Sequence, residues 1–495
     1  MSLTWFVSAF FPFIFWLIIG KWPTLGPTDY GIVVTSLNFV VLISGVVLFG
    51  LTSAHIKFIP SIFQKKGIKG VYSLVRISQK PLIILLIFFS LGLIIFSDQV
   101  SILLKIPHDF ILLITLCVIS YTLFGFFGSV FYSLQQMKWY FKTEFFQFLF
   151  RIVFAVIFLF FNFKTFGPIL GFFLSYFLFL FFRLRIDYFK GNEKSISYKK
   201  LFEYSFPAFI MTVAWALILN GQYILLTTLK NPEITGIFAV AFISITVIQI
   251  IPSVLNNALL PVISELSTDY KSKDKLSYLI FLVIRYSLFL IIPASILLFI
   301  FSKYVVLLIS KPEFIASTSY FPFLVPSAIL YGLGVIFQNN IYVMGYPKKS
   351  RNISIATSLI FLLISIPLIN YFSATGLSFA QLITMILFFV ISFTELKKII
   401  KIKFPFDDFK KIIVASLLIP LFLYLLKPFV DSFFWTIPLG IISVMFYLLV
   451  LLFLNFYRIE DVKILEFLSN HLPFGKIFLP IINFLRNKIK TDEII

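Results

Sequence analysis

Apolar residues in this chain run in long blocks, separated by short polar breaks. Fourteen blocks are long enough to cross a bilayer as helices: 3–20, 30–52, 81–97, 110–133, 144–163, 166–183, 204–228, 236–260, 279–302, 320–344, 352–370, 375–396, 411–429 and 434–456. The criterion is length: about 20 residues rising about 1.5 Å each cover about 30 Å of hydrocarbon. Residues 304–310 are apolar but too short to span, and are predicted as an interfacial turn. The block 3–20 lacks a basic leader and a small-residue cleavage site, so it is read as a helix, not a signal peptide. The pattern predicts an all-α, polytopic membrane fold with about 14 transmembrane helices.

Two stretches repeat one plan. Residues 203–270 read as two apolar helices around a turn of Asn231, Pro232, Thr235 and Gly236. Residues 25–51 place Gly26, Pro27, Asp29 and Gly31 before a similar apolar span. Aligning Gly31 with Gly236 sets the two turns side by side. A chain built from two similar halves is a common transporter device.

Composition sharpens the class. Of 495 residues 60% are hydrophobic and 13% charged, against about 25% charged in soluble domains. The net charge is +20, which could suggest nucleic acid. Its distribution argues otherwise. Of the 41 Lys and Arg, 32 fall in the loops after every second span and in the C-terminal tail, and seven on the other side. That alternation is the positive-inside bias and places both termini in the cytoplasm of a plasma-membrane protein. Lys21 behind the first span runs against it locally, and the global bias outweighs it. Segments 55–80 and 458–490 mix basic and apolar residues and are expected to lie along the inner leaflet; a partner-docking surface is the alternative.

Polar residues inside the spans carry the candidate chemistry, because burying them in lipid costs several kcal/mol. Glu144, Gln147 and Arg151 share a face of the fifth span. Thr246, Gln249, Ser253 and Asn256 stripe the eighth. Asn220 and Gln222 lie in the seventh, Arg285 in the ninth, Gln338, Asn339 and Asn340 in the tenth, and Ser378 and Gln381 in the twelfth. One reading is a wet central cavity, with Glu144 paired to Arg151. A second is helix-packing glue. For the two arginines a third is snorkelling to the surface. Guanidinium grips phosphate bidentately, so a cavity charged by Arg151 and Arg285 favours an anionic cargo.

Other chemistries find no support. Cys117 is the single cysteine, and His55, His108 and His471 are scattered over loops and tail, so neither a disulfide nor a metal site is expected. No phosphate-binding loop of the G-x-x-x-x-G-K-[ST] type occurs, so direct ATP use is not expected, and no cofactor is implied. Asp29, Asp98, Asp109, Glu233, Glu313 and Asp431 are dispersed, which argues against a membrane glycosyltransferase, and the chain is not expected to be an enzyme. Asp407 and Asp408 read as a helix-start pair.

The elements LGPTDYGI, GLTSAHIKFIPS, LQQMKWYFKTEFFQFLFR (134–151), TGIFAVAF with LLPVISELS, and YVMGYPKKSRNIS followed by NYFSATGLSFA resemble, in order and spacing, the polysaccharide-biosynthesis transporters. These are the O-antigen and lipid-linked oligosaccharide flippases of the multidrug/oligosaccharidyl-lipid/polysaccharide exporter superfamily. The likeness covers about residues 5–456. It implies two pseudo-symmetric six-helix bundles facing a V-shaped cavity, at residues 1–190 (spans 1–6) and 200–400 (spans 7–12). Spans 13 and 14 (408–457) would be accessory, before an amphipathic tail (458–495). It also implies alternating access. The expected function is movement of a lipid-linked glycan precursor to the outer leaflet. Its partners would be that glycan, membrane lipids and the glycosyltransferases or polymerase of the same pathway. Arg151 and Arg285 would hold phosphate, and Asn220, Gln249 and Asn256 would bond sugars. The alternatives are an ion-coupled multidrug or small-solute antiporter of the same superfamily and, third, a membrane glycan polymerase.

Overall fold

In a computed structural model of the chain, the described residues are 2–184, 196–267, 273–402, 404–426 and 433–471, with 479, 482, 483 and 486. Among them there is no strand. The helices are α1 (Ser2–Lys21), α2 (Pro27–Leu48), α3 (Leu51–Ile95), α4 (Ser97–Leu104), α5 (Phe110–Ser133), α6 (Met137–Phe160), α7 (Phe166–Phe181), α8 (Tyr198–Leu219) and α9 (Gly221–Leu229). They continue with α10 (Pro232–Ser267), α11 (Lys273–Ile300), α12 (Ser302–Ile309), α13 (Phe321–Val343), α14 (Pro347–Lys397), α15 (Phe406–Leu425), α16 (Thr436–Phe453) and α17 (Ile459–His471). Among the described residues, ten helices are long and apolar enough to cross a membrane.

Three predicted boundaries change. Residues 55–80 belong to a long helix, α3, which is broken at Gly67, where φ is +61°. His55, Ile59 and Ile62, then Val71, Leu74, Val75 and Ser78, are buried at helical spacing, so one side of this stretch packs against neighbours, while Ile56, Lys57 and Phe63 are exposed. The expected turn at 304–310 is α12, followed by a 3-10 helix over Pro312–Tyr320. The seventh apolar block is split at Asn220 into α8 and α9. The 51 residues of α14 are two helices that meet at Ser373, a non-glycine residue held at φ +56°.

The chain forms two compact units. The first is Met1–Val283 with Ser302–Ile402, and the second is Ile284–Phe301 with Lys403–Ile495. Helix α11 therefore contributes to both.

In the first unit α2 is the central element, packed on α5, α8, α9 and α10. Its start crosses the start of α10 at the two aligned glycines. A Cβ on Gly31 would overlap the Pro232 carbonyl, and one on Gly236 would overlap that of Pro27, so only glycine permits this approach. Just inside, Thr35 and Thr227 share a 2.6 Å hydrogen bond, and Thr227 donates to Thr235 at 2.8 Å. The backbone N–H of Gly26 donates to Asp29 and fixes the turn. At the other end of α2, Phe49 stacks on Phe202 and Phe209 of α8. Gly50 follows at φ +70°, tight against the Ser205 carbonyl. A cavity along the middle of α2 thus has a close helix contact beyond each end.

In the second unit α15 packs on α16, with Phe422 stacked on Phe446 at 4.4 Å. Tyr447 donates to the Phe289 carbonyl at 3.0 Å, and Phe289 stacks on Phe456.

Candidate functional site

The middle turns of α2 border a cavity of about 420 Å³, within the usual range for ligand pockets. Pro12 and Trp16 of α1, Val34 and Asn38 of α2, Tyr121 of α5, Phe148 and Arg151 of α6, Tyr176 of α7, Tyr223 of α9 and Thr246 of α10 are among its walls. Aromatic rings dominate, each large and rigid with an apolar face, and the tyrosines add hydroxyls. Among the described residues, no Asp or Glu lines it.

Among the described residues, Arg151 is the single charged residue of this lining. Its guanidinium lies 3.8 Å from the Phe15 ring centre and 4.7 Å from that of Phe172. Stacking of that kind holds the plane by cation–π attraction while leaving N–H donors to other partners. Nε is buried without an acceptor, and among the described residues no carboxylate pairs with the group. A cation so placed in an apolar span needs an anion or water in front of it.

The expected Glu144–Arg151 pair does not form. Glu144 accepts instead from Arg183 at 2.9 Å. Arg183, counted with the loop cations in the sequence, is one of the most deeply buried side chains. It also donates to Thr143 and, at 3.0 Å, to the Phe124 carbonyl, and it stacks on Phe124. The two residues are 39 apart in sequence, and no local pattern announces the pair.

Arg285 is likewise not on the cavity. It lies in the second unit, fully buried, with two guanidinium nitrogens each 2.8 Å from an oxygen of Asp461. It also donates to the Phe456 carbonyl at 3.0 Å, and its Nε is 3.5 Å from Asp408. Tyr286 and the Arg458 backbone N–H donate to Asp461 as well. Asp408, read as a helix-start residue, is in the first turn of α15 but buried, and it pairs with Arg458 at 2.7 Å. This guanidinium has its partners already.

The amides are spent on helix packing. Gln147 donates to Ser175 at 3.1 Å. Asn340 donates to Asn256 at 2.9 Å, and Gln338 to Ser354 at 2.7 Å. Asn220 sits at the α8–α9 break, where its backbone N–H, not its side chain, makes the bond, to the Ala216 carbonyl. Neither Gln249, which is buried on α10, nor Asn339 on α13 is among the cavity walls. Of the nine candidates, Arg151 reaches the cavity. Sequence reasoning missed Asn38, Trp16, Tyr121, Tyr176 and Tyr223, because single polar or aromatic residues in an apolar run carry no periodic signal. His55 was also misplaced. It is buried between Ser129 and Ser78, 2.7 and 2.8 Å from its two ring nitrogens.

The arrangement of helices matches solved transporters. "Lipid II flippase MurJ, inward closed conformation" aligns over 92% of this chain and 97% of that one, at 16% identity and a TM-score of 0.70. An inward-facing multidrug resistance MATE family transporter of the MOP superfamily aligns over 80% and 95%, at 12% identity and a TM-score of 0.64. A MOP superfamily transporter from Pyrococcus furiosus, described as having a binding pocket of reverse polarity, aligns over 80% and 94%, at 13% and 0.57. No curated protein matches the chain. At these identities the likeness shows a shared fold, a multi-pass arrangement of apolar helices. The family is matched directly in sequence over residues 2–267, and the chain belongs to the polysaccharide biosynthesis proteins.

Proposed function

We propose that this protein flips a phosphate-bearing, lipid-linked glycan precursor from the cytoplasmic to the outer leaflet by alternating access. The observation that carries the reading is Arg151: an unpaired, stacked guanidinium in a cavity without carboxylates. Phosphate or diphosphate would complete its hydrogen bonds. The tyrosine and tryptophan walls would stack on sugar rings, and Asn38 and Thr246 would bond hydroxyls. The lipid tail would stay in the bilayer. Family membership and the fold shared with a lipid II flippase support the same cargo class.

In this reading the chain crosses the membrane fourteen times, with α8 and α9 making one crossing and α14 making two around Ser373. Residues 1–190 and 200–400 act as two pseudo-symmetric bundles, residues 408–457 as accessory spans, and both termini are cytoplasmic. The close contact at Gly31 and Gly236 is the closed outer face.

The experiment is a flipping assay in proteoliposomes with a fluorescent polyprenyl-diphosphate sugar. Arg151→Ala is expected to cut transport about 100-fold or more, and transport at the wild-type rate would remove the basis of the proposal. The competing antiporter shares the fold. It needs an acidic group facing the cavity to carry its coupling ion, and Glu144, its best candidate in the sequence, is committed to Arg183.

A further inference from the structure

A second hollow, of about 620 Å³, lies on the Lys/Arg-rich side of the first unit and shares no wall residue with the Arg151 cavity. Lys57 of α3, Glu203 and Tyr204 of α8, Tyr342 at the end of α13, and Lys348 and Arg351 at the start of α14 are on its rim. Three cations face one carboxylate. Lys57 and Lys348 form no ion pair among the described residues, and Arg351 bonds only the amide oxygen of its neighbour Asn352. The contrast with Lys349 is informative. One residue from Lys348, it points elsewhere and is matched by Glu395 at 3.2 Å. The chain neutralises the cation outside the hollow and leaves those around it free.

The hollow also abuts the inner contact between α2–α3 and α8. Phe58, next to Lys57, packs edge-on against Tyr204 at 5.4 Å, beside the stack of Phe49 on α8. Anything passing from the basic side into the Arg151 cavity would part this aromatic seam, and the hollow is where it would wait. Lysine and arginine charges with tyrosine hydroxyls suit a phosphate ester better than a neutral sugar.

We propose that this basic hollow is a receiving site for the phosphate or diphosphate of the lipid-linked cargo, filled before the headgroup enters the Arg151 cavity. The proposal rests on the flippase reading for its cargo, but its test does not require transport. The probe is a short-chain polyprenyl diphosphate, with phosphatidylglycerol and inorganic diphosphate as separate arms, added to the detergent-purified full chain. Lys57 and Lys348 are exposed and unpaired, so Lys57→Gln/Lys348→Gln is expected to keep the wild-type thermal unfolding and to lose at least about tenfold in affinity for polyprenyl diphosphate. A second measurement uses Lys348→Cys. The native cysteine, Cys117, is buried, so maleimide labels the new thiol, and polyprenyl diphosphate should slow that labelling. Unchanged affinity in the double variant, or labelling indifferent to the probe, would overturn the proposal while leaving the role of Arg151 intact. Equal protection by phosphatidylglycerol or by inorganic diphosphate would overturn it as a cargo site. Loss of binding in the double variant together with failure of every flipping assay would sink the transport reading and leave the anion site standing.

Discussion

Arg151 and Arg285 look alike in the sequence: each is a lone guanidinium inside an apolar run. The structure gives them opposite fates. Arg285 is held by both oxygens of Asp461 and a backbone carbonyl, with a second carboxylate 3.5 Å from its Nε, so its counter-charge is internal. Arg151 has two aromatic faces and no anion. The difference is not depth, since both are buried. It is whether the chain supplies the counter-charge. A buried cation whose partner comes from the chain serves the fold; one that lacks a partner and faces a cavity is left for a ligand.

The largest effect is expected where the partner is internal. Arg285→Ala should leave Asp461 buried beside Tyr286 and a backbone N–H with its charge uncompensated, a loss of about 3–5 kcal/mol. The readout is thermal unfolding in detergent, with purification yield as a second sign. Arg285→Met combined with Asp461→Leu should recover part of that loss, because an apolar pair of similar volume replaces the ions. Equal stability of Arg285→Ala and wild type would mean that Asp461 finds water, and the contrast between the two arginines would collapse.

Arg151→Ala should do the reverse. With no ion pair to break, unfolding should move little. Transport of a diphosphate-linked lipid should fall about 100-fold or more, the loss of roughly two charge-assisted hydrogen bonds at about 1.5 kcal/mol each. A variant that unfolds early but transports normally would exchange the two roles and refute the assignment.

How much of this was legible follows from the range of each interaction. Helices were legible because burial in lipid imposes a local length and composition. The likeness of Gly31 to Gly236 was legible too, and the two residues meet in the structure. Ion pairs were not. Arg285 and Asp461 are 176 residues apart, and Arg183 and Glu144 are 39 apart across a turn. The polar stripes misled for a related reason. Amides such as Asn256 and Gln338 sit at cavity-like spacing, but Asn340 and Ser354 occupy them from neighbouring helices. His55 looked like a loop residue because the run after α2 is broken by lysines, whereas α3 buries its apolar side and lets the lysines project.

A finer cut separates charge from shape at Arg151. Arg151→Lys keeps the charge but loses the plane that lies against Phe15 and Phe172, and with it bidentate contact with phosphate. Transport is expected to fall about tenfold, the cost of about 1.4 kcal/mol in transition-state binding. A lysine variant as active as wild type would show that a point charge suffices, and the stacked geometry would lose its meaning.

The smallest effect concerns the third buried arginine. Glu144→Gln removes the carboxylate from Arg183 but leaves the Thr143 hydroxyl and the Phe124 carbonyl in place, and the glutamine oxygen can still accept. Glu144 is also partly exposed, so water can share the work. The expected cost is therefore about 1 kcal/mol, read as a modest shift in thermal unfolding. Transport should be unchanged, because neither residue borders the Arg151 cavity. The antiporter reading demands the opposite. If Glu144 carries the coupling proton or sodium ion, Glu144→Gln abolishes ion-driven efflux while the unfolding temperature stays put. One variant thus separates a carboxylate that holds an arginine from one that moves an ion.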